Sequence, residues 1–158
     1  MKIAICDDEK KLRKDLRHLL ELHLDLKGIP YEIQEYESGD ALLKDEHKED
    51  IQLLFLDIEM PGKGGMETAH GLRDANLKML IIFVTAYPDY VFQGYEVQAF
   101  HYILKPYQET KLRDVLDRAL TELNALAEQY YLIEQKSQTL RLNLRSVCYF
   151  KSEKRTIY

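Results

Sequence analysis

Five residues of this 158-residue chain stand where a side chain can do chemistry: Asp7, Asp8, Asp57, Thr85 and Lys105. Each follows a short apolar run. Lys2–Cys6 leads into Asp7-Asp8-Glu9, Leu53–Leu56 into Asp57, Met79–Val84 into Thr85, and Phe100–Leu104 into Lys105-Pro106. Apolar runs of this length, stopped by a polar residue, read as buried strands that deliver that residue to a sheet edge. Singly, each has an ordinary reading: a helix cap for Asp7 or Asp8, a cap or turn for Asp57, a small strand-end residue for Thr85, a solvated charge for Lys105. Jointly that reading fails, because three carboxylates gathered without a counterion repel and must take up protons or find a cation. Hard carboxylate oxygens suit Mg²⁺, which keeps several waters and bridges protein carboxylates to phosphate oxygens. Such an ion beside a carboxylate, a hydroxyl and an ammonium group makes a phosphoryl-transfer set, with Asp57 the nucleophile and Asp7 and Asp8 placed to hold the ion.

The elements that must position these groups alternate. After the first strand, Leu12, Leu16, Leu19, Leu20 and Leu24 recur at helical spacing until Gly28-Ile29-Pro30. Tyr31–Tyr36 is a second strand, and Ala41-Leu42-Leu43 opens a short helix that runs into the charged stretch Lys44–Asp50. The central strand Gln52–Asp57 follows. Pro61-Gly62-Lys63-Gly64-Gly65 loops into a helix carrying Met66, Ala69 and Leu72, and a helix after Pro88 carries Tyr90, Val91, Gly94 and Tyr95. A long helix from Gln108 to about Glu128 sets Leu112, Val115, Leu116, Ala119, Leu120, Leu123 and Ala127 on one face. Five such units predict an α/β fold: a right-handed, doubly wound five-stranded parallel sheet in the flavodoxin-like order 2-1-3-4-5. Strands one and three then meet at the switch point, where ligands bind beyond the carboxyl ends of the strands. Past Glu128 the pattern becomes alternation without helices, over Tyr130–Glu134, Leu140–Leu144 and Val147–Lys151, which predicts an all-β segment. The expected domains are therefore residues 1–128 and 129–158.

Composition narrows the class. With 46% apolar residues the chain can build a proper core. Met1-Lys2 leads straight into strand one, and the chain contains no apolar run long enough for a bilayer, so a cytoplasmic protein with no membrane partner is expected. Cys6 and Cys148 stand alone in apolar strands and read as buried thiols rather than a disulfide. The net charge of −5 argues against a nucleic-acid surface spread over the whole chain. The glycine-rich phosphate loop with its Lys-Ser/Thr and the G-x-S-x-G elbow are both missing from the sequence.

Asp7-Asp8, then Leu-Asp57-Ile-Glu-Met-Pro-Gly, then Val-Thr85-Ala, then Tyr102 three residues before Lys105-Pro106 resembles the receiver domain of two-component response regulators, a CheY-like fold. The resemblance covers residues 1 to about 125. It implies that Asp57 accepts a phosphoryl group from a histidine kinase and that Asp7 and Asp8 hold Mg²⁺, with the main-chain carbonyl of Glu59 as a further ligand. It implies too that Thr85 and Lys105 engage the phosphoryl oxygens, that Tyr102 swings inward as Thr85 moves, and that the bond before Pro106 is cis. Homodimer formation on phosphorylation is expected across the face carrying Tyr90, Tyr95 and Phe100.

The tail is similar to the opening strands of the LytTR DNA-binding domain, through Thr139-Leu-Arg-Leu-Asn-Leu and Val147–Tyr158. That similarity implies promoter DNA as the partner of a complete module, of which this chain holds an incomplete part without specific DNA binding of its own. Lys151, Lys154 and Arg155 read either as part of a DNA surface or, more commonly for a charge cluster at a strand turn, as solvated residues, and no DNA-contact residue is carried over. A rival reading remains open. An Mg²⁺-dependent phosphatase of the aspartyl-phosphate type also places an Asp nucleophile after a central parallel strand and wants a second acid two residues on, where Glu59 stands.

Overall fold

The computed structural model describes residues 1–90, 93–128, 130–135, 138–143, 152–153 and 156–157. The chain divides into two compact units, Met1–Ala119 and Leu120–Tyr158. The first unit holds a parallel sheet of β1 (Lys2–Cys6), β2 (Glu32–Tyr36), β3 (Leu53–Leu56), β4 (Leu80–Thr85) and β5 (His101–Leu104), in the order β2-β1-β3-β4-β5. Helices α1 (Lys10–Leu26), α2 (Gly39–Lys44) and α3 (Gly65–Asp74) connect the first four strands, and α4 (Glu109–Glu128) follows the fifth. This is the doubly wound arrangement and strand order expected from the alternating pattern.

The reason lies in burial. All four residues of β3, Leu53, Leu54, Phe55 and Leu56, are fully buried, as a strand covered on both faces must be. The outer strand β2 alternates instead, with Ile33 and Tyr36 buried and Glu32 and Gln34 exposed. On α1 the buried positions are Arg13, Leu16, Leu20 and Leu24, one stripe at helical spacing that includes an arginine. Leu112, Val115, Leu116, Ala119 and Leu120 form the matching buried stripe of α4.

The stretch after Pro88 departs from expectation. In place of an α-helix, the described residues form two 3₁₀ turns, Pro88–Tyr90 and Gln93–Tyr95. Gly94 and the run of aromatic and β-branched residues around it are poor helix formers, and the chain turns back through Gln98 at φ 50. The Ala99 N–H then donates to the Gly94 carbonyl at 2.9 Å and leads the chain into β5.

In the second unit, β6 (Tyr130–Gln135) pairs antiparallel with β7 (Gln138–Asn143), from Tyr130 opposite Asn143 to Gln135 opposite Gln138. Two short strands, β8 (Ser152–Glu153) and β9 (Thr156–Ile157), make a second antiparallel pair. The expected strand Val147–Lys151 and Cys148 lie outside the described residues.

Candidate functional site

Strand register brings the polar residues to one edge. Cys6 is level with Leu56 across β1 and β3, so Asp7 and Asp57 leave their strands side by side, and the Asp57 N–H donates to the Cys6 carbonyl at 2.9 Å. Thr85 is level with Leu104, and the Lys105 N–H donates to the Thr85 carbonyl at 2.8 Å. Asp7, Asp57 and Thr85 are buried, Asp8 and Glu59 are exposed. The peptide bond between Lys105 and Pro106 is cis.

At the centre is the Lys105 ammonium. Its Nζ donates to Asp7 Oδ2 and to Asp57 Oδ2, both at 2.7 Å. Burial pulls the lysine pKa down, but the hydrogen bonds and charges of Asp57 and Asp7 outweigh that pull and raise it overall. The remaining carboxylate oxygens are held by the main chain. Asp7 Oδ1 accepts from the Glu9 N–H at 2.8 Å, and Asp57 Oδ1 accepts from the Ile58 N–H at 2.7 Å. The cap position of α1 is Glu9, whose side chain makes no capping bond, so neither Asp7 nor Asp8 serves as the helix cap.

Oxygens of Asp7, Asp8 and Asp57 lie within 4.8 Å of one another. Three carboxylates at that spacing, two buried and one open to solvent, form a hard-oxygen donor set of the kind that takes Mg²⁺ with part of its water shell retained. Thr85 is buried at the end of β4, where its Oγ1 accepts a hydrogen bond of 3.4 Å from the Tyr87 N–H. The Tyr102 hydroxyl donates to the Tyr87 carbonyl, and its ring packs against buried Phe83 with centroids 5.9 Å apart. Burial, reinforced by the charge of Asp57, pushes the Tyr102 pKa up to about 12. The Glu59 carboxylate beside Tyr87 raises the tyrosine pKa. A depression of about 480 Å³ opens beside this pair, lined by Ile58, Glu59, Met60, Pro61, Gly62, Gly64 and Tyr90.

The structure therefore gathers Asp7, Asp8, Asp57 and Lys105 at one point, with Thr85 buried at the next strand end and Tyr102 tied to the same loop. Cys6 lies directly beneath as a buried thiol, its pKa pushed up to about 12 by burial and by Asp7. Two residues support the site in ways the sequence reading did not assign, Arg13 being unplaced there and Gly65 read only as part of a loop. Arg13 Nη1 donates to the main-chain carbonyls of Asp7 at 2.6 Å and Asp8 at 3.2 Å. Gly65 starts α3 so close to Asp57 that a Cβ there would meet the Asp57 carbonyl at 2.0 Å, and its N–H donates to the Ile58 carbonyl at 2.7 Å. A charged residue on the apolar stripe of α1 was the available signal for Arg13; the Gly64-Gly65 pair was the signal for close approach.

Comparison with known proteins agrees with this geometry. Residues 3–117 match the family model of the response regulator receiver domain. The chain is 36% identical over 118 residues to the sensory transduction protein LytT of Oceanobacillus iheyensis, covering 73% of this chain and 46% of that protein. It is 33% identical over 141 residues to the transcriptional regulatory protein BtsR of Salmonella typhi, covering 89% of this chain and 56% of that one. The chain thus spans about half the length of the curated relatives it matches. Among solved structures, the response regulatory domain of MrkE from Klebsiella pneumoniae superposes with a TM-score of 0.71 at 30% identity, covering 79% of this chain and 99% of that domain.

Proposed function

The chain belongs to the response regulator receiver family, and from that premise we propose that Asp57 accepts a phosphoryl group from the phosphohistidine of a sensor kinase. The observation that carries this reading is the single ammonium of Lys105 shared at 2.7 Å by the Asp57 and Asp7 carboxylates, with Asp8 alongside. In the transfer an Asp57 carboxylate oxygen forms a bond to phosphorus while the P–N bond to the kinase imidazole breaks; the imidazole keeps that electron pair and is reprotonated. Lys105 then moves its charge onto the phosphoryl oxygens, and the Thr85 hydroxyl donates to one of them, drawing the loop at Ala86-Tyr87 inward. The carboxylates of Asp7, Asp8 and Asp57, with the main-chain carbonyl of Glu59, would hold Mg²⁺. The ion supplies positive charge to the transferring oxygens when bound.

Tyr102 reads the movement of Thr85 through its bond to the Tyr87 carbonyl, and the phosphorylated chain pairs with a second copy of itself. Partnership with a histidine kinase, which the receiver family supports, implies action in the cytoplasm. No described helix is long and apolar enough to cross a membrane. The resemblance of the tail to a LytTR module, together with a match to BtsR that extends over 141 residues, supports a transcriptional output through promoter DNA. The family match supports this switch over the phosphatase alternative built on Glu59. The deciding experiment is treatment with a small phosphodonor or beryllofluoride, with and without Mg²⁺, read by intact mass or chemical shifts. Labelling of the native chain that depends on Mg²⁺ is expected; full labelling of Asp57→Asn would overturn the assignment.

A further inference from the structure

We infer that Arg13 is a positioning residue for the acid pair, setting the aim of the Asp7 and Asp8 carboxylates by gripping their main-chain carbonyls from behind. This rests on the reading that Asp7, Asp8 and Asp57 hold a divalent cation. Arg13 sits on the buried stripe of α1 with its side chain only 10% exposed. Burying a guanidinium is costly unless it is paired and hydrogen-bonded, so its surroundings show what compensates it. One nitrogen, Nη1, is used entirely on the carbonyls of Asp7 and Asp8, at 2.6 and 3.2 Å. Nε faces the Glu35 carboxylate of β2 at 3.4 Å and makes no hydrogen bond within the described residues. Glu35 is itself held by Arg17 Nη1 at 3.2 Å.

The two acids depend on this grip unequally. Asp7 has other anchors, since its N–H donates to the Tyr36 carbonyl at 3.1 Å and both carboxylate oxygens are bonded. The Asp8 side chain is exposed and makes no hydrogen bond among the described residues, so its direction is set through its main chain. The Arg13 contact to the Asp8 carbonyl is the tie that fixes that main chain. Groups that orient metal ligands in this indirect way matter to affinity nearly as much as the ligands themselves.

Charge and position make opposite predictions, which renders the inference testable. A guanidinium near a divalent cation repels it, so if Arg13 acted by charge alone, Arg13→Gln would tighten Mg²⁺ binding and Arg13→Lys would leave it unchanged. A positioning residue predicts the reverse. Isothermal titration of the full chain with Mg²⁺ alone should show affinity falling about tenfold in Arg13→Gln and falling also in Arg13→Lys, whose ammonium ends nearer the helix than Nη1 and lacks the fixed plane of the guanidinium. Thermal melts check that each variant is folded. Should Arg13→Gln not fold, Glu35→Gln neutralises the carboxylate that faces Arg13 and also meets Arg17, and should weaken Mg²⁺ roughly threefold, whereas Arg17→Gln, which leaves the Arg13 grip in place, should not. Tighter or unchanged binding in the folded variants, with Asp8→Asn losing the ion, overturns the role of Arg13 alone. A native chain that binds no Mg²⁺ overturns the cation reading beneath it.

Discussion

On the β1–β3 side of the site, Asp7 and Asp57 each accept a main-chain N–H on one oxygen and the Lys105 ammonium on the other, and Arg13 and Gly65 brace the loops behind them. On the β4–β5 side, the Thr85 hydroxyl takes one long bond from Tyr87, and the chain beyond it makes two isolated 3₁₀ turns with Tyr87 and Tyr95 exposed. Under the proposed function the difference separates two tasks. Groups that must meet a transferring phosphoryl group gain from being fixed beforehand, since no reorganisation is then needed as charge develops. Groups that report the transfer gain from few competing contacts, because a two-state element is biased only by the contacts that differ between its states. Substitutions on the first side should therefore cost function outright, and those on the second should alter its consequences.

The largest expected effect is at Asp57. Asp57→Asn keeps the Ile58 N–H contact possible but removes the proposed nucleophile, and phosphorylation by a small donor should vanish while the fold persists, as read by intact mass and circular dichroism. Retained labelling at another acid would mean that the fixed side does not own the chemistry.

Next is Lys105, which joins both sides. Lys105→Met leaves the Asp7 and Asp57 carboxylates adjacent without their shared cation and should cost about 2 kcal/mol at neutral pH, measured by urea unfolding in chelator. The pKa of Lys105 is raised in the folded chain, so its contribution is complete below the ordinary lysine value of 10.5 and fades as pH rises through the folded value. The gap between native chain and variant should thus narrow in strong alkali. Added Mg²⁺ should narrow it at neutral pH as well. A gap insensitive to both would show that Lys105 acts through packing and not through charge.

A smaller, conditional effect belongs to the reporting side. Beryllofluoride should shift the native chain toward a dimer in sedimentation velocity, and Thr85→Ala or Tyr102→Phe should weaken that shift while leaving labelling of Asp57 in place. Tyr95 is 79% exposed and borders a groove of about 300 Å³ with Ala99, Phe100, His101 and Tyr102, which gives the expected contact face its apolar area. Monomers in both states would break the link between Thr85 and assembly.

The same two sides differ in how far the sequence reveals them. Asp57 was legible because Leu53–Leu56 can only be a strand buried on both faces, and the strand order then follows from alternation and handedness. Asp7, Asp8, Thr85 and Lys105 were legible as residues that end such runs. Arg13 was not, because its partners are main-chain carbonyls, which every residue supplies and no pattern marks. Arg73 is alike: it donates to the carbonyls of Val97, Leu77 and Met79 and so pins the turn that precedes β5. The residues after Pro88 misled for another reason. Their apolar spacing suits a helix, but Gly94 and the aromatic run lower the local propensity, and turns take its place.

The mildest prediction tests the place where the two sides touch. Glu59 follows Asp57 by two residues and Tyr87 follows Thr85 by two, and the Glu59 carboxylate stands close enough to raise the Tyr87 pKa. Water that attacks an acyl phosphate needs an in-line path, and a carboxylate with a bulky phenol beside that path obstructs it and opposes the electron density of an incoming nucleophile. Glu59→Ala and Tyr87→Ala should each speed loss of the phosphoryl group, by about a factor of three to ten for removal of one positioned group. If they act as one gate, the double variant should be little faster than the faster single one, because both substitutions break the same contact. Decay followed by intact mass after removal of the phosphodonor reads all three. Unchanged decay in both single variants would show that the Tyr87–Glu59 contact lies off the path. Multiplied effects in the double variant would show instead that the two sides guard the phosphoryl group independently.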